Sequence, residues 1–338
     1  MKVFGLFSPL IGNLLKKTEP LLIDLGSSHT RISVGGKKIY TQPTCIAVHK
    51  KTDSVVAFGE KALRLLGKTP ESIEISFPIV NGEIAHTRYL EFYMTAFLDQ
   101  ILPELKLQKY LFGLSAKIAI PSATAPAKKA LLQQVLKRVG FTKITFIGSG
   151  SVVAQNISKG QQKLTDVCVL DIGAQKAEIS IFSFGELTYF QSYRWGGVLL
   201  TESLQKIIRT KHHCVVSWHV AESVKKEIGS IVTSKEKVAI RGKDLVTQSS
   251  KTVIIDANDV KGIFSQLLDE LLDNIMQFIA LLPSEVAVSV LEKGIYITGG
   301  TSQIQGIDQA VVEKFKCDVL VSTQPETDVI TSLAQTKV

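Results

Sequence analysis

The stretch LLIDLGSSHTRISV, residues 21–34, returns in altered form as VCVLDIGAQKAEISIF, residues 167–182. Each copy reads as a buried apolar strand that ends in Asp, one apolar residue and Gly, followed by a polar turn and a second strand with alternating residues. The unit occurs once in each half of a 338-residue chain, which is long enough for roughly two domains. The sequence therefore predicts two similar halves.

A third glycine turn lies near the end of the chain, in GIYITGGTSQIQGI, residues 294–307. There an apolar strand runs into adjacent glycines, which permit left-handed backbone and close approach of a ligand. From residue 20 onward, strand-like and helix-like runs alternate, a pattern typical of an α/β fold. One helix within residues 118–140 is predicted to begin near Pro126 and to end at Gly140.

The Asp-x-Gly turns suggest phosphate binding. A strand that ends this way presents successive backbone N–H groups to a phosphate chain, and the Asp can hold a water-coated Mg²⁺. One such turn is a weak signal, because an ordinary hairpin also uses Gly and tolerates Asp. Two turns in the same register can clamp one triphosphate. The prediction depends on this pair, on the later double glycine, and on a helix over 221–230 that places Glu222 and Lys225 one turn apart.

The amino-acid composition indicates which classes of binding partner are favoured. Lys and Arg outnumber Asp and Glu by 39 to 31, so the net charge of +8 favours anionic surfaces. The basic residues are scattered, without the aromatic-interleaved patches of nucleic-acid modules, so a lipid surface is favoured over nucleic acid. Four cysteines without a CxxC pair indicate a reducing, intracellular setting.

The first residues, MKVFGLFSPLIGNLLKK, carry an apolar stripe at helical spacing. The predicted membrane-contact residues of this stripe are Phe4, Phe7, Leu10, Ile11, Leu14 and Leu15. This pattern is typical of an amphipathic helix that lies in the membrane plane, with a kink at Pro9. The run is too short to span a bilayer, and no signal-peptide cleavage site follows it. An apolar tail without a membrane role is the alternative.

Longer motifs lead to a family. QPTCIAV (42–48), FGEKALRLLGKTPESI (58–73), PIVNGEIA (78–85) and AESVKKEIGS (221–230) resemble, in this order, segments of the bacterial actin MreB. The two phosphate turns resemble those of the wider actin, Hsp70 and sugar-kinase superfamily. The resemblance covers the chain from about residue 20 almost to its C-terminus.

The resemblance implies an α/β, actin-like, two-lobed fold of duplicated ribonuclease H-like units, with a central nucleotide cleft. The expected organisation is an anchor helix over 1–17, lobe I over 18–145 with a small subdomain near 35–75, lobe II over 146–320 with a small subdomain near 185–250, and a C-terminal segment, 321–338, that returns to lobe I. The loop KYLFGL, 109–114, falls where the family has a membrane-touching loop, so Leu111 and Phe112 are candidate lipid contacts; a core segment is the alternative.

The resemblance also implies ATP or ADP with Mg²⁺ in the cleft. The residues that match the family's cofactor-binding positions are Asp24, Gly26, Ser27, Ser28, His29, Thr30, Asp171, Gly173, Glu222, Lys225, Gly299 and Gly300, with Asp24 and Asp171 holding Mg²⁺ through water. His29 stands where the family has Asn, and Thr301 where it has a third glycine. Neither change alone forbids ATP.

Two departures bear on hydrolysis. The family's second turn reads Asp-x-Gly-Gly-Gly-Thr-Thr-Glu, whereas residues 174–177 here read AQKA, so side chains replace glycines and two hydroxyls are lost. Lys176 could meet the phosphate as a point charge, fill an empty site, or lie in solvent. In addition, Gly148 and Ser149 occupy the place of the family's water-activating carboxylates, and neither can act as a general base. Gln155 is a weak candidate for orienting water.

The sequence thus predicts an MreB-like cytoskeletal filament protein of cell-shape function, peripheral on the inner face of the cell membrane. It is expected to assemble head to tail with itself and to bind ATP with weak or lost hydrolysis. Co-assembly with a more intact paralogue would rationalise a degenerate active site, and cell-wall or division machinery is a further candidate partner. Two alternatives stay open: a non-polymerising adaptor like FtsA or pilus-assembly relatives, and an active ATPase or phosphotransferase.

Overall fold

The computed structural model describes residues 19–104, 113–122, 124–160 and 166–336. The predicted membrane contacts lie outside these residues, namely Phe4, Phe7, Leu10, Ile11, Leu14, Leu15, Leu111 and Phe112. Within the described part of the chain, no helix combines the length and the apolar character needed to cross a bilayer. The membrane assignments therefore stay predictions.

Lobe I is built on a five-stranded sheet. Its strands are β1 (Leu21–Leu25), β2 (His29–Val34), β3 (Lys38–Pro43), β9 (Leu114–Ile120) and β10 (Phe141–Gly148), in the order β10-β9-β1-β2-β3. Helices α2 (Thr87–Ile101) and α3 (Pro126–Val139) pack against this sheet in one apolar core. As predicted, α3 begins with proline in its first turn and ends at Gly140, whose φ of 112° is left-handed. The sheet extends through β10, past the expected lobe boundary at residue 145.

A small subdomain follows β3. It contains β4 (Ile46–His49), β5 (Val55–Phe58), α1 (Gly59–Leu65) and β6 (Ile73–Ser76), with the sheet order β5-β4-β6. A two-stranded hairpin, β7 (Ile79–Val80) and β8 (Glu83–Ile84), then leads back to α2. Its turn consists of Asn81 and Gly82, both with positive φ, as a tight hairpin requires. This turn projects toward the second lobe.

Lobe II repeats the plan. Its sheet contains β11 (Asp166–Ile172), β12 (Ala177–Ser183), β13 (Glu186–Tyr193), β17 (Ile295–Thr298) and β18 (Val319–Val321), in the order β13-β12-β11-β17-β18. Its helices are α4 (Ser149–Gly160), α5 (Gly197–His212), α6 (Trp218–Ile228), α7 (Ala257–Ala280), α8 (Ser284–Lys293) and α9 (Ile307–Phe315). A smaller sheet of β14 (Cys214–Val215), β15 (Lys237–Asp244) and β16 (Ser250–Asp256) forms the second subdomain. Since β13 belongs to the main sheet, this subdomain begins later than residue 185.

The two sheets carry the predicted internal repeat. β1 pairs with β2 antiparallel and with β9 parallel, and β11 pairs in the same way with β12 and β17. In the first hairpin Asp24 lies opposite Arg31, and in the second Asp171 lies opposite Glu178. Both aspartates stand at the carboxyl ends of parallel strands, where α/β sheets bind ligands. The duplication inferred from the sequence is confirmed.

The last helix, α10 (Asp328–Gln335), joins the two halves. Ile330 and Leu333 pack in a cluster that includes Leu22 of lobe I and Val169 of lobe II. The buried carboxylate of Asp328 also accepts a hydrogen bond from the Thr298 hydroxyl at 2.8 Å. The C-terminal helix therefore packs against both sheets.

Candidate functional site

A cavity of about 600 Å³ lies between the lobes, and both Asp-x-Gly turns open into it. The predicted cofactor residues that line it are Asp24, Gly26, Ser27, Ser28, His29, Asp171, Gly173, Lys176, Glu222, Lys225, Gly299 and Gly300. Thr30 requires a correction, because its side chain is fully buried and hydrogen-bonded to the Thr44 hydroxyl at 2.9 Å. Thr30 therefore stabilises the first turn but does not line the cavity. Ser149 reaches the cavity, whereas Gln155 lies exposed on α4 and is not among its lining residues.

The first turn is a tight backbone loop. The Gly26 N–H donates to the His29 carbonyl at 3.1 Å, and a Cβ at Gly26 would lie 2.7 Å from that oxygen, so only glycine fits. The Thr44 hydroxyl donates to the Gly26 carbonyl at 2.7 Å. The hydroxyl of Ser27 accepts the Gly82 N–H at 2.9 Å. Burial, then the charges of neighbouring cations, lower the pKa of His29, which favours the neutral ring.

The second turn is held by lobe II. The Gly173 N–H donates to the Lys176 carbonyl at 2.9 Å, closing the hairpin. At the start of α5, the Gly197 N–H donates to the Gly173 carbonyl and the Val198 N–H to the Ala174 carbonyl, at 3.2 and 2.7 Å. These hydrogen bonds hold the backbone of the turn in place, and Ala174, Gln175 and Lys176 line the cavity.

Charged groups of this turn form a network. Lys176 Nζ lies 2.5 Å from Glu178 Oε2, and the Glu178 carboxylate also accepts the Ser122 N–H at 3.2 Å. The hydroxyls of Ser180 and Ser192 donate to it at 3.3 and 3.2 Å. With these partners, Glu178 is poorly placed to act as a general base for water.

Asp24 and Asp171 approach the cavity from opposite lobes. Asp24 Oδ2 lies 3.5 Å from Arg31 Nη1. Burial raises the pKa of Asp171 to about 7, with further contributions from the charges of Glu178 and Asp24, while Lys176 opposes the shift. The assignment of both aspartates to Mg²⁺ stays a prediction.

Helix α6 supplies the predicted adenosine-side pair. It begins at Trp218, three residues before the stretch that the sequence indicates, and its N-cap Ser217 accepts the Val220 N–H. Lys225 Nζ lies 2.6 Å from Glu222 Oε2 and donates to the Gly197 carbonyl at 2.9 Å. Burial lowers the pKa of Lys225, and Glu222 opposes this. The pair is therefore preorganised against the start of α5.

Gly148 and Ser149, which the resemblance matches to the family's water-activating carboxylates, lie at the junction of β10 and α4. Gly148 ends β10 and Ser149 begins α4. A Cβ at Gly148 would lie 2.9 Å from the Ser151 hydroxyl and 3.2 Å from the Ser122 Cα. This corner is packed tightly, and neither residue supplies a carboxylate.

Two site residues escape sequence reasoning. Arg31 becomes visible only through strand register, because it lies opposite Asp24. Glu178, by contrast, stands at the last position of the family's Asp-x-Gly-Gly-Gly-Thr-Thr-Glu turn, and strand register places it opposite Asp171. Gly197 lies where a Cβ would come within 3.0 Å of the Lys225 amine and 2.9 Å of the Thr301 hydroxyl. The adjacent glycines in RWGGVLL, immediately before a helical pattern, are the one signal that could have indicated this contact.

Comparison with known proteins gives a consistent result. A family model described as MreB/Mbl protein matches residues 18–337. The cell shape-determining protein Mbl of Bacillus subtilis (strain 168) is 24% identical over 314 residues, which cover 90% of this chain and 91% of Mbl. The cell shape-determining protein MreB of Escherichia coli (strain K12) is 24% identical over 317 residues, covering 92% and 90%.

Solved structures agree on the fold. MreB 5 of Spiroplasma citri bound to AMPPNP superposes with a TM-score of 0.85 at 24% identity, covering 94% of this chain and 95% of that one. The same protein bound to ADP matches equally well. A MamK double helical filament gives a TM-score of 0.75 at 19% identity, covering 94% and 98%. The expected actin-like, two-lobed α/β fold is confirmed.

Proposed function

The chain belongs to the MreB/Mbl family, and on this premise we propose that it is a cytoskeletal filament protein of cell-shape function that binds ATP or ADP between its lobes. The observation that carries the proposal is the convergence of two register-matched Asp-x-Gly turns, the Glu222–Lys225 pair and the Gly299–Gly300 turn on one cavity. The neighbour MreB 5 is bound to AMPPNP and ADP in its two structures, which supports a nucleotide here.

Nucleotide would act as a switch for assembly. A ligand that contacts both lobes favours the conformation in which those contacts exist together, and so shifts the population toward it. The MamK neighbour is a double helical filament, which supports self-association of this chain; the assembly is proposed to be head to tail. The resemblance implies that Asp24 and Asp171 hold Mg²⁺ through water, but Asp24 lies 3.5 Å from Arg31, and Glu178, opposite Asp171, is paired with Lys176, so the residues present fit a divalent cation poorly.

Hydrolysis is proposed to be slow or lost. Gly148 and Ser149 provide no carboxylate to activate water, and Glu178 is engaged by Lys176. Phosphate release measured with saturating ATP should therefore fall well below that of MreB from Escherichia coli assayed in parallel. Equal rates would contradict this part of the proposal.

The membrane is the proposed location of the filament. The stripe in residues 1–17 and the net charge of +8 support binding to the anionic inner face of the cell membrane. One such helix binds weakly, but many along one filament add their affinities. Leu111 and Phe112 are proposed as a second lipid contact. A paralogue and cell-wall or division machinery are proposed as further partners.

A membrane adaptor without polymerisation is the second candidate. It is favoured by one observation: Gln175 Oε1 accepts the Asn81 N–H at 2.8 Å, so the rewritten turn itself links the lobes. An active ATPase or phosphotransferase would need a free carboxylate to act as general base. Glu178 is not free, because it is paired with Lys176.

Electron microscopy of the purified full chain with anionic liposomes, with and without ADP or AMPPNP, tests the proposal. Filaments on the lipid surface that become more abundant with nucleotide are expected. Lipid-bound protein without filaments in any condition would favour the adaptor. Calorimetry on the same sample asks separately whether nucleotide binds at all.

A further inference from the structure

Arg31 places a guanidinium group at the first carboxylate of the cleft. The antiparallel register of β1 and β2 sets Asp24 directly opposite Arg31, so both side chains leave the same face of the hairpin. Arg31 Nη1 lies 3.5 Å from Asp24 Oδ2, and the Arg31 side chain is only 12% exposed. Arg31 Nη2 also lies 3.8 Å from Glu326 Oε2. Backbone register and burial therefore hold this cation at the cleft.

Lys176 places a second cation at the opposite hairpin. Its Nζ lies 2.5 Å from Glu178 Oε2, and the side chains of Lys176 and Glu178 are 23% and 7% exposed. Both residues line the same cavity as Asp24 and Asp171. A lysine at a solvated hairpin tip would be far more exposed than this. Lys176 is therefore largely buried at the cleft, where its ammonium group contacts the Glu178 carboxylate.

Three of the four carboxylates beside these two cations are already in contact with one of them. Asp24, Glu178 and Glu326 each lie within ion-pair distance of Arg31 or Lys176. In the described ranges of the chain, Asp171 alone among these neighbours forms no ion pair. A water-coated Mg²⁺ needs free acceptors and would meet repulsion from both cations. The donor set therefore fits a divalent cation poorly.

The same two cations suit the phosphates themselves. A guanidinium offers a planar fork of donors that matches phosphate oxygens, and an ammonium acts as a point charge. Together they carry the charge of one Mg²⁺. We infer that Arg31 and Lys176 take the place of the divalent cation, so that this cleft binds a nucleoside di- or triphosphate without requiring Mg²⁺. The inference rests on the proposed nucleotide binding and concerns its cation dependence.

Calorimetric titration of the full chain with ADP and with AMPPNP, in excess MgCl2 and in excess EDTA, tests this. The expected result is a Kd that changes by less than about threefold between the two buffers. Binding that weakens by about tenfold or more in EDTA would overturn the inference and leave the proposed function standing. Absence of binding in both buffers would overturn both.

Substitutions identify the groups responsible. The double variant Arg31→Met/Lys176→Met should lose about tenfold or more in affinity in EDTA and regain part of it with MgCl2, because Asp24 and Glu178 become available. Arg138→Met/Lys314→Met is the matched control, since these cations pair with Glu91 and Asp273 away from the cavity. Equal loss in both double variants, or an unchanged Kd in the first, would contradict the assignment. If thermal unfolding shows that the first double variant does not fold, the titrations of the unmodified chain in MgCl2 and in EDTA alone test the inference.

Discussion

Asp24 and Asp171 hold the same place in two hairpins, but the residue opposite each one differs in charge. Arg31 faces Asp24, whereas Glu178 faces Asp171. Like charges directly opposite each other destabilise a pair of strands. Lys176 offsets this repulsion from the turn of the same hairpin. The rewritten turn thus stabilises an acidic pair that the sheet itself would disfavour.

Removal of that lysine should be costly. We expect Lys176→Met to lower stability by about 1–3 kcal/mol, because it leaves Glu178 buried opposite Asp171 without its cation. Adding Glu178→Gln to Lys176→Met should recover part of the loss, since the like-charge contact disappears. Thermal unfolding of the original chain, both single variants and the double variant measures the coupling. Additive effects of the two changes would contradict the interaction.

A second ion pair, away from the cleft, gives a pH dependence. Asp166 Oδ2 lies 2.8 Å from Lys293 Nζ and accepts the Ser289 hydroxyl at 2.7 Å. Chiefly through the bond from Lys293, the pKa of Asp166 falls to about 2, below its ordinary value of 3.8. A depressed pKa stabilises the fold above pH 4, and this contribution is lost as the pH falls from about 4 toward 2.

We therefore expect Asp166→Asn to cost about 1 kcal/mol at pH 7, allowing for partial solvent screening, and progressively less below pH 4. Thermal unfolding midpoints of both proteins across this range measure the difference. Asp273→Asn, at the more exposed pair with Lys314, is the control and should change stability little at any pH. A difference in unfolding midpoint between the original chain and Asp166→Asn that grows as the pH falls would contradict this prediction.

At the scale of secondary-structure elements, the sequence predicts features that depend on near neighbours but not contacts between distant residues. The two hairpins and helix α3 follow from apolar strands, Asp-x-Gly turns and the positions of Pro126 and Gly140, because these signals act between near neighbours. The bond between Asn81 and Gln175 joins residues 94 positions apart, and no local pattern predicts it. The same holds for the small subdomains, whose boundaries depend on which strands pair.

The contact between the β7–β8 turn and the turn that contains Gln175 is testable on its own. Gln175→Ala removes the acceptor of the Asn81 N–H, so we expect that turn to open more often. Hydrogen exchange of the peptide over residues 78–85 should become faster by about tenfold. Gln266→Ala, on an exposed stretch of α7, serves as the control. Unchanged exchange in the Gln175 variant would show that the bond does not hold the turn.

At the scale of the whole molecule, the lobes contact each other at several places. The Ser122 N–H of lobe I donates to the Glu178 carboxylate of lobe II at 3.2 Å. His219 Nε2 on α6 lies 2.8 Å from the Leu63 carbonyl of α1. Helix α10 packs in one cluster with residues of both sheets. A ligand in the cavity would add contacts to a set that already joins the two lobes, which is the physical basis of the proposed nucleotide-dependent assembly.

Attachment of the protein to lipid is testable with vesicles of defined composition. Deleting residues 1–17 should reduce pelleting with phosphatidylglycerol vesicles to the level seen without vesicles, because the predicted amphipathic stripe is removed. Phosphatidylcholine vesicles should bind the full chain less, since the net charge of +8 then meets no anionic surface. Thermal unfolding of the shortened chain controls for loss of fold. Undiminished pelleting by a folded, shortened chain would refute the anchor and shift the membrane contact to the loop that contains Leu111 and Phe112.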